Sequence, residues 1–128
     1  SILPGLLENL SKNIHETYPQ KFFESGIVFS KDTPIKETAS LACVTASEET
    51  HFSEIKAILQ SLLRIGFNIK CETKTLSKHA LFSQGRVAEI IANKKIVGYI
   101  GELNSKVLEN FRIRTKVVAF EMQLSGLI

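Results

Sequence analysis

The sequence predicts an α+β domain: a mostly antiparallel sheet flanked by helices. Three observations carry that expectation. Two apolar, β-rich runs flank the polar turn Asn93-Lys94-Lys95 within residues 85–103, which is a hairpin signal. Residues 67–75 and 117–124 alternate apolar and polar at every second position, the period of a half-buried strand. Two other stretches repeat their apolar residues at three- and four-residue intervals, the period of a helix face. The strand-like runs follow one another instead of alternating regularly with helices, which favours antiparallel pairing over a doubly wound parallel sheet.

The elements follow in chain order. Residues 3–16 form an amphipathic helix with Leu3, Leu6, Leu7, Leu10 and Ile14 on one face. Pro4 suits its first turn, where a missing N–H costs nothing, and Pro19 lies beyond its end. A strand over 22–29 puts Phe23, Ile27 and Phe29 on one face and Glu24 and Val28 on the other, with Gly26 marking a bulge or a close backbone approach. The stretch Lys31-Asp32-Thr33-Pro34 turns the chain. A second strand over 39–46 is apolar on both faces and therefore internal. The helix over 52–65 carries the stripe Phe52, Ile55, Ile58, Leu59, Leu62 and Leu63, with Gly66 as its C-terminal cap. The strand over 67–75 points Phe67, Ile69, Cys71 and Thr73 inward. Residues 76–84 connect it to the hairpin, whose turn lacks the usual Gly after Asn and so allows a loop of three or more residues. Asn104 caps a short helix that puts Val107, Leu108 and Phe111 on one side. In the last strand Val118, Phe120, Met122 and Leu124 face one way and Ala119, Glu121 and Gln123 the other. The total is six strands and three helices in one domain spanning residues 1–128.

Composition narrows the function classes. The chain has 128 residues, 44% of them hydrophobic, enough for a core in a single domain. No run approaches the roughly 20 apolar residues of a membrane-spanning helix, and the first residues do not read as a leader peptide. The chain begins at Ser1 without a Met, which fits a piece of a longer protein, so targeting of the parent is not read from it. The net charge of +3, from 16 basic and 13 acidic residues, is spread among acids and gives no dense basic stripe of the kind nucleic-acid modules carry. Cys43 and Cys71 lie in strands and read as reduced, buried thiols of a cytosolic protein.

Reactive constellations are scarce. His15, His51 and His79 have no Cys, His or carboxylate partner at a metal-ligand spacing, and His79 reads as part of a solvated loop. No nucleophile elbow or phosphate loop occurs. Glu24, Glu89, Glu102 and Glu121 are strand glutamates, any of which can face a cleft, and Arg86 is an ion-pair partner for one of them. These residues point to a binding or structural module with no catalytic site of its own. A cleft between the sheet and the 52–65 helix, with Arg86 and Glu24 converging on it, is the ligand-binding alternative. A weak RNA-binding module using scattered lysines is another.

Three stretches together carry a family resemblance. The first is the run from Ser1 through Leu3, Pro4, Gly5 and Leu6 to Leu7, with Asn13 on the same helix. The second runs from Pro19 through Phe22, Phe23, Glu24, Ser25 and Gly26 to Phe29. The third is Gly85-Arg86 with Ala88, then Ile96, Gly98, Ile100, Gly101 and Glu102, closed by Ala119-Phe120-Glu121. In this order and spacing they resemble the catalytic-like core of the phenylalanyl-tRNA synthetase beta subunit, and the resemblance runs nearly end to end. Because the chain stops soon after Phe120-Glu121, it is similar to the archaeal and eukaryotic type. Three positions differ from the usual family pattern: Asn104-Ser105 replaces His-Pro, and Lys94 replaces a turn glycine.

The resemblance implies a partial class II aminoacyl-tRNA synthetase fold with no catalytic, cofactor or metal residues of its own. A class II site holds ATP phosphate and amino-acid carboxylate with an arginine two positions before the second-motif glutamate, and Phe22 occupies that place before Glu24. No arginine follows Arg114 to serve the third motif. The implied partner is a catalytic alpha subunit in an (αβ)2 tetramer that uses ATP and magnesium, with tRNA engaged by the cytoplasmic holoenzyme and no membrane involved. The beta subunit's editing domain, its magnesium-associated domain and the first dimer-forming helix of the core fall outside these residues. Leu7 and Leu10 on the first helix and Phe23 and Glu24 on the first strand are the expected contacts with the alpha subunit.

Overall fold

The computed structural model describes residues 2–13, 20–29, 37–49 and 52–124, and within these ranges leaves the side chains of residues 28, 29 and 37 aside. The expected positions of Ile14, His15, Pro19, the 31–34 turn and His51 lie outside the described residues. The described residues form six strands and three helices: α1 (Leu3–Lys12), β1 (Gln20–Phe29), β2 (Glu37–Ala46), α2 (Phe52–Phe67), β3 (Glu72–Leu76), β4 (Phe82–Ala92), β5 (Lys95–Leu103), α3 (Ser105–Asn110) and β6 (Val117–Gln123). The strands make one sheet in the order β1-β2-β6-β5-β4-β3, and every neighbouring pair is antiparallel.

Each face of the sheet carries its own apolar cluster. On one face α1 packs Leu3, Leu6, Leu7 and Leu10 against Ala42, Val44 and Ala46 of β2 and Val117 and Ala119 of β6, with Val107, Leu108 and Phe111 of the α3 region closing the side. On the other face α2 sets Ile55, Leu59 and Leu63 over Ile90, Ile100, Val118 and Phe120. β6 sits between the two clusters and is buried from Val117 through Phe120, so its alternation separates two cores and not core from solvent. β2 is buried on both sides for the same reason, as its sequence predicts.

Several boundaries differ from the sequence expectation. Gly66 lies inside α2, and the helix ends on Asn68, which takes a left-handed φ of 54°. Asn68 N–H donates to the Arg64 carbonyl at 3.1 Å and Ile69 N–H to the Leu63 carbonyl at 3.0 Å, the paired bonds that close a helix on a left-handed residue. Asparagine tolerates this conformation because its short side chain satisfies the local backbone. Phe67 therefore ends a helix instead of opening a strand, and β3 shortens to Glu72–Leu76. Phe67, Ile69 and Cys71 still point at the α2 cluster. The hairpin loop is tighter than expected. Ala92 pairs with Lys95, leaving Asn93 and Lys94 alone in the turn, both with positive φ (52° and 63°). That is a type I′ geometry reached without glycine. Asn104 caps α3 as predicted, its Oδ1 accepting from Val107 N–H at 2.8 Å.

Candidate interaction surface and sheet clefts

The four expected contact residues separate by position. Leu7 is 2% exposed and Leu10 1%, both pressed between α1 and the sheet. Their expected contact with another subunit is therefore corrected: the same apolar stripe that reads as sticky in sequence is consumed by the domain's own β1 and β2. Phe23 is 54% exposed, and Ile27, on the same side of β1, is 60% exposed. β1 is the outermost strand of the sheet. Lys21 on this side reaches Glu54 of α2 at 3.6 Å, which places Phe23 and Ile27 on the α2 face but beyond the helix, which packs over β5 and β6. Glu24 is half-buried on the opposite side, beside Gly5 of α1.

On the α1 face lies a cavity of about 400 Å³. Its chemistry comes from His79, Tyr99, Glu121, Ser40 and Thr38, over an apolar lining that includes Leu3 and Phe82. The expected solvated-loop position of His79 is corrected: its ring lies 4.5 Å from Tyr99 and 5.1 Å, edge-on, from Phe82. Its Nδ1 accepts the Leu81 N–H at 3.2 Å, which leaves Nε2 to carry the proton of the neutral ring. Burial lowers its pKa from the usual 6.5, opposed by the Glu121 carboxylate. Glu121 also accepts the Leu3 N–H at 3.1 Å, supplying the acceptor that the apolar N-cap Ile2 cannot.

A second cleft, of about 540 Å³, opens on the α2 face beside Phe52 and Lys56. Arg86 pairs there with Glu102, and Lys116 Nζ stands 4.0 Å from the same carboxylate. Arg86 is thus an ion-pair partner for a strand glutamate, as its sequence suggests, but Glu24 does not join it. The two lie on opposite faces of the sheet, so the expected cleft combining Arg86 with Glu24 does not exist. Cys43 and Cys71 are free and buried, and burial pushes the Cys43 thiol up to about 12. Among the described residues no group of three or more His, Cys, Asp or Glu converges to hold a metal ion. None of the described helices is long and apolar enough to cross a membrane.

Sequence reasoning missed the His79–Tyr99 contact and the approach of Lys116 to Glu102. Both depend on strand register: Tyr99 stands opposite Glu121, and Glu102 opposite Val118, close to Lys116. No local pattern encodes those pairings.

Comparison with known proteins gives a consistent result. The family model described as the phenylalanyl tRNA synthetase beta chain CLM domain matches residues 1–124. The phenylalanine–tRNA ligase beta subunit of Pyrococcus abyssi is 41% identical over 131 residues, covering 98% of this chain and 23% of the relative. That of Methanocella arvoryzae is 41% identical over 132 residues, covering 99% and 24%. That of Methanocaldococcus jannaschii is 38% identical over 128 residues, covering 97% and 23%. The chain thus spans about a quarter of the length of these relatives. Among solved structures, pyrrolysyl-tRNA synthetase from Desulfitobacterium hafniense superposes with a TM-score of 0.81 over 99% of this chain and 47% of that one. At 16% identity this likeness concerns the fold alone, a class II synthetase fold.

Proposed function

The chain belongs to the phenylalanyl-tRNA synthetase beta chain family, through its CLM domain, and from that premise we propose that it is the non-catalytic core of such a beta subunit. It scaffolds a catalytic alpha subunit that joins phenylalanine to its tRNA with ATP. The working assembly is an (αβ)2 tetramer in the cytoplasm, and tRNA is engaged by the whole enzyme. ATP and magnesium belong to the alpha subunit in this reading.

The α1-face cavity, on the side of the sheet where Phe22 stands, does not fit ATP. Phe22, at the position where the resemblance implies a phosphate-binding arginine, packs half-buried against the α1 cluster. Among the described residues, the cavity on that face is lined by one carboxylate and by no lysine or arginine. A triphosphate there would meet a negative charge with nothing in the lining to offset it. No catalytic step is therefore assigned to these residues.

The observation that carries the scaffold role is the outer edge of the sheet. β1 ends the strand order with Phe23 and Ile27 both more than half exposed. Two large apolar side chains exposed on one face of an edge strand are an association surface, since edges left for water are normally blunted by charge. The opposite edge shows that contrast, with Glu72 and Lys74 on β3 turned to solvent. The alpha contact is accordingly placed on Phe23 and Ile27, with Glu24 close by on the same strand.

The test is to co-express the intact beta chain with its alpha subunit and measure the mass of the complex by light scattering on a sizing column. Wild type is expected to give the tetramer. Phe23→Glu combined with Ile27→Glu is expected to keep the far-UV circular dichroism of wild type and lose the complex. A tetramer of unchanged stability in the double variant overturns the placement; well-folded wild type that forms no complex overturns the scaffold role.

A further inference from the structure

The Gly85-Arg86 and Gly101-Glu102 pairs take no part in the scaffold role, yet together they shape one place on the sheet. Between Phe82, opposite Leu103, and Val87, opposite Gly101, β4 takes five steps where β5 takes two. The excess is thrown outward, and Gly85 turns it with a φ of 77°. Gly101 lets the returning strand come close: a Cβ there would stand 2.4 Å from the Arg86 carbonyl. The bulge thereby delivers Arg86 to the rim of the α2-face cleft, where Glu102 fixes its guanidinium.

Three cations share this cleft: Arg86 from the rim, Lys116 from the start of β6, and Lys56 from α2. Glu102 is the one carboxylate among the described lining residues, so three positive charges less one negative leave a net of +2. The Arg86 side chain is 66% exposed, and a guanidinium with five N–H donors keeps free donors after pairing with one carboxylate. Thr73 and Thr75 of β3 add hydroxyls to the lining. Ala88 and Val118 give it an apolar floor.

We propose that this cleft binds a phosphate group, carried by a nucleotide or by an RNA backbone. The donors come from a helix, a bulge, a strand start and a neighbouring strand, so an anion in the cleft can be met from more than one side. A tetrahedral phosphate can use donors from several directions, whereas a carboxylate presents two oxygens in a plane. A doubly charged phosphate also matches the net charge. The apolar floor suits the organic part of an ester and explains why the cleft is more than a solvated charge patch. This site lies on the face of the sheet opposite the α1-side cavity and requires no activity of the chain.

The test follows backbone amide resonances of the full chain during titration with inorganic phosphate, with chloride at equal ionic strength as the reference. Saturable shifts at Thr75, Arg86, Val87 and Glu102 are expected. Replacing Arg86→Ala and Lys116→Ala together should weaken binding at least about tenfold, the scale of one lost charge-assisted hydrogen bond. Lys106→Ala, an exposed change on α3 across the sheet, should leave it unchanged. Adenosine monophosphate and a single-stranded oligoribonucleotide then separate the sources. Tighter binding of the mononucleotide assigns a nucleotide site; tighter binding of the oligomer, with a salt slope steeper than that of a single phosphate, assigns an RNA contact. Phosphate that shifts no cleft amide, a double variant that binds like wild type, or an acidic peptide that binds where phosphate does not would each overturn the proposal.

Discussion

His79 sits between two aromatic rings and takes a backbone N–H on Nδ1, an arrangement that suits the neutral imidazole and not the imidazolium. Protonation would put charge where burial opposes it, with the Glu121 carboxylate as the partial offset. The folded-state pKa therefore lies below the usual value of 6.5. Above the unfolded value the ring is neutral in both states and its packing contributes in full. As pH falls below 6.5 toward the folded pKa, the unfolded chain takes up the proton first, and stability drops. Urea midpoints measured from pH 7.5 to 5 should fall more steeply for wild type than for His79→Phe, which keeps the aromatic contacts and cannot titrate. Parallel curves would remove His79 as the source. The sequence around His79 reads as a polar loop because Ser77 and Lys78 precede it, and both are exposed. Its true surroundings come from β5, twenty residues away, through Tyr99. The cysteines are legible because their neighbours in sequence are apolar and burial follows from that alone; both thiols are free and buried.

At the scale of elements, periodicity together with turn and cap signals identifies each described helix and strand, and the ends move wherever a residue does something its type makes uncommon. α2 runs through Gly66 because Asn68 supplies the left-handed turn two residues later. The hairpin closes in two residues because Lys94 accepts a φ of 63° that a glycine would take at no cost. Such choices are settled by the neighbouring strands, and a short window of sequence does not show them. Two glycines make the distinction measurable. Gly66 lies in a helix, and a Cβ added to it would meet nothing within 4 Å, whereas a Cβ on Gly101 would press on the backbone of Arg86 and Val87. Gly66→Ala should raise stability by about 0.5–1 kcal/mol through lost chain entropy and better helix propensity. Gly101→Ala should lower it by about 1–3 kcal/mol, the cost of forcing atoms into filled space. Denaturant midpoints at constant slope would check both signs; a neutral Gly101→Ala would mean that the bulge relaxes freely.

For the whole molecule the decisive fact is that one sheet separates two cores, with β6 and β2 contributing to both. A helix stripe read from sequence says that a face must be buried and is silent on whether the chain's own sheet or another subunit buries it. Leu7 and Leu10 read as partner contacts on that ambiguity, and the six-strand order resolves it, because α1 lies over β1 and β2 of the same domain. Phe23 keeps its exposure because β1 is the last strand and α2 lies over β5 and β6 instead. The same layout makes a prediction about cooperativity. Leu7→Ala opens space in the α1 cluster and Leu59→Ala in the α2 cluster, and the two side chains share no cluster neighbour. Each should cost about 2–5 kcal/mol, as buried leucine truncations do. Because the sheet ties the two cores together, each variant should shift one common transition and not split it. The double variant should lose the sum to within roughly 0.5 kcal/mol, the expectation for distant, independent sites. Circular dichroism and tyrosine fluorescence, followed through the same urea titration in a Tyr18→Phe background that leaves Tyr99 as the single tyrosine, would read the two sides of the sheet differently, since Tyr99 packs with the α1 cluster. Coincident curves in every variant would establish the sheet as the unit that folds. A fluorescence transition that moves in Leu7→Ala and stays fixed in Leu59→Ala would show instead that the two faces melt independently.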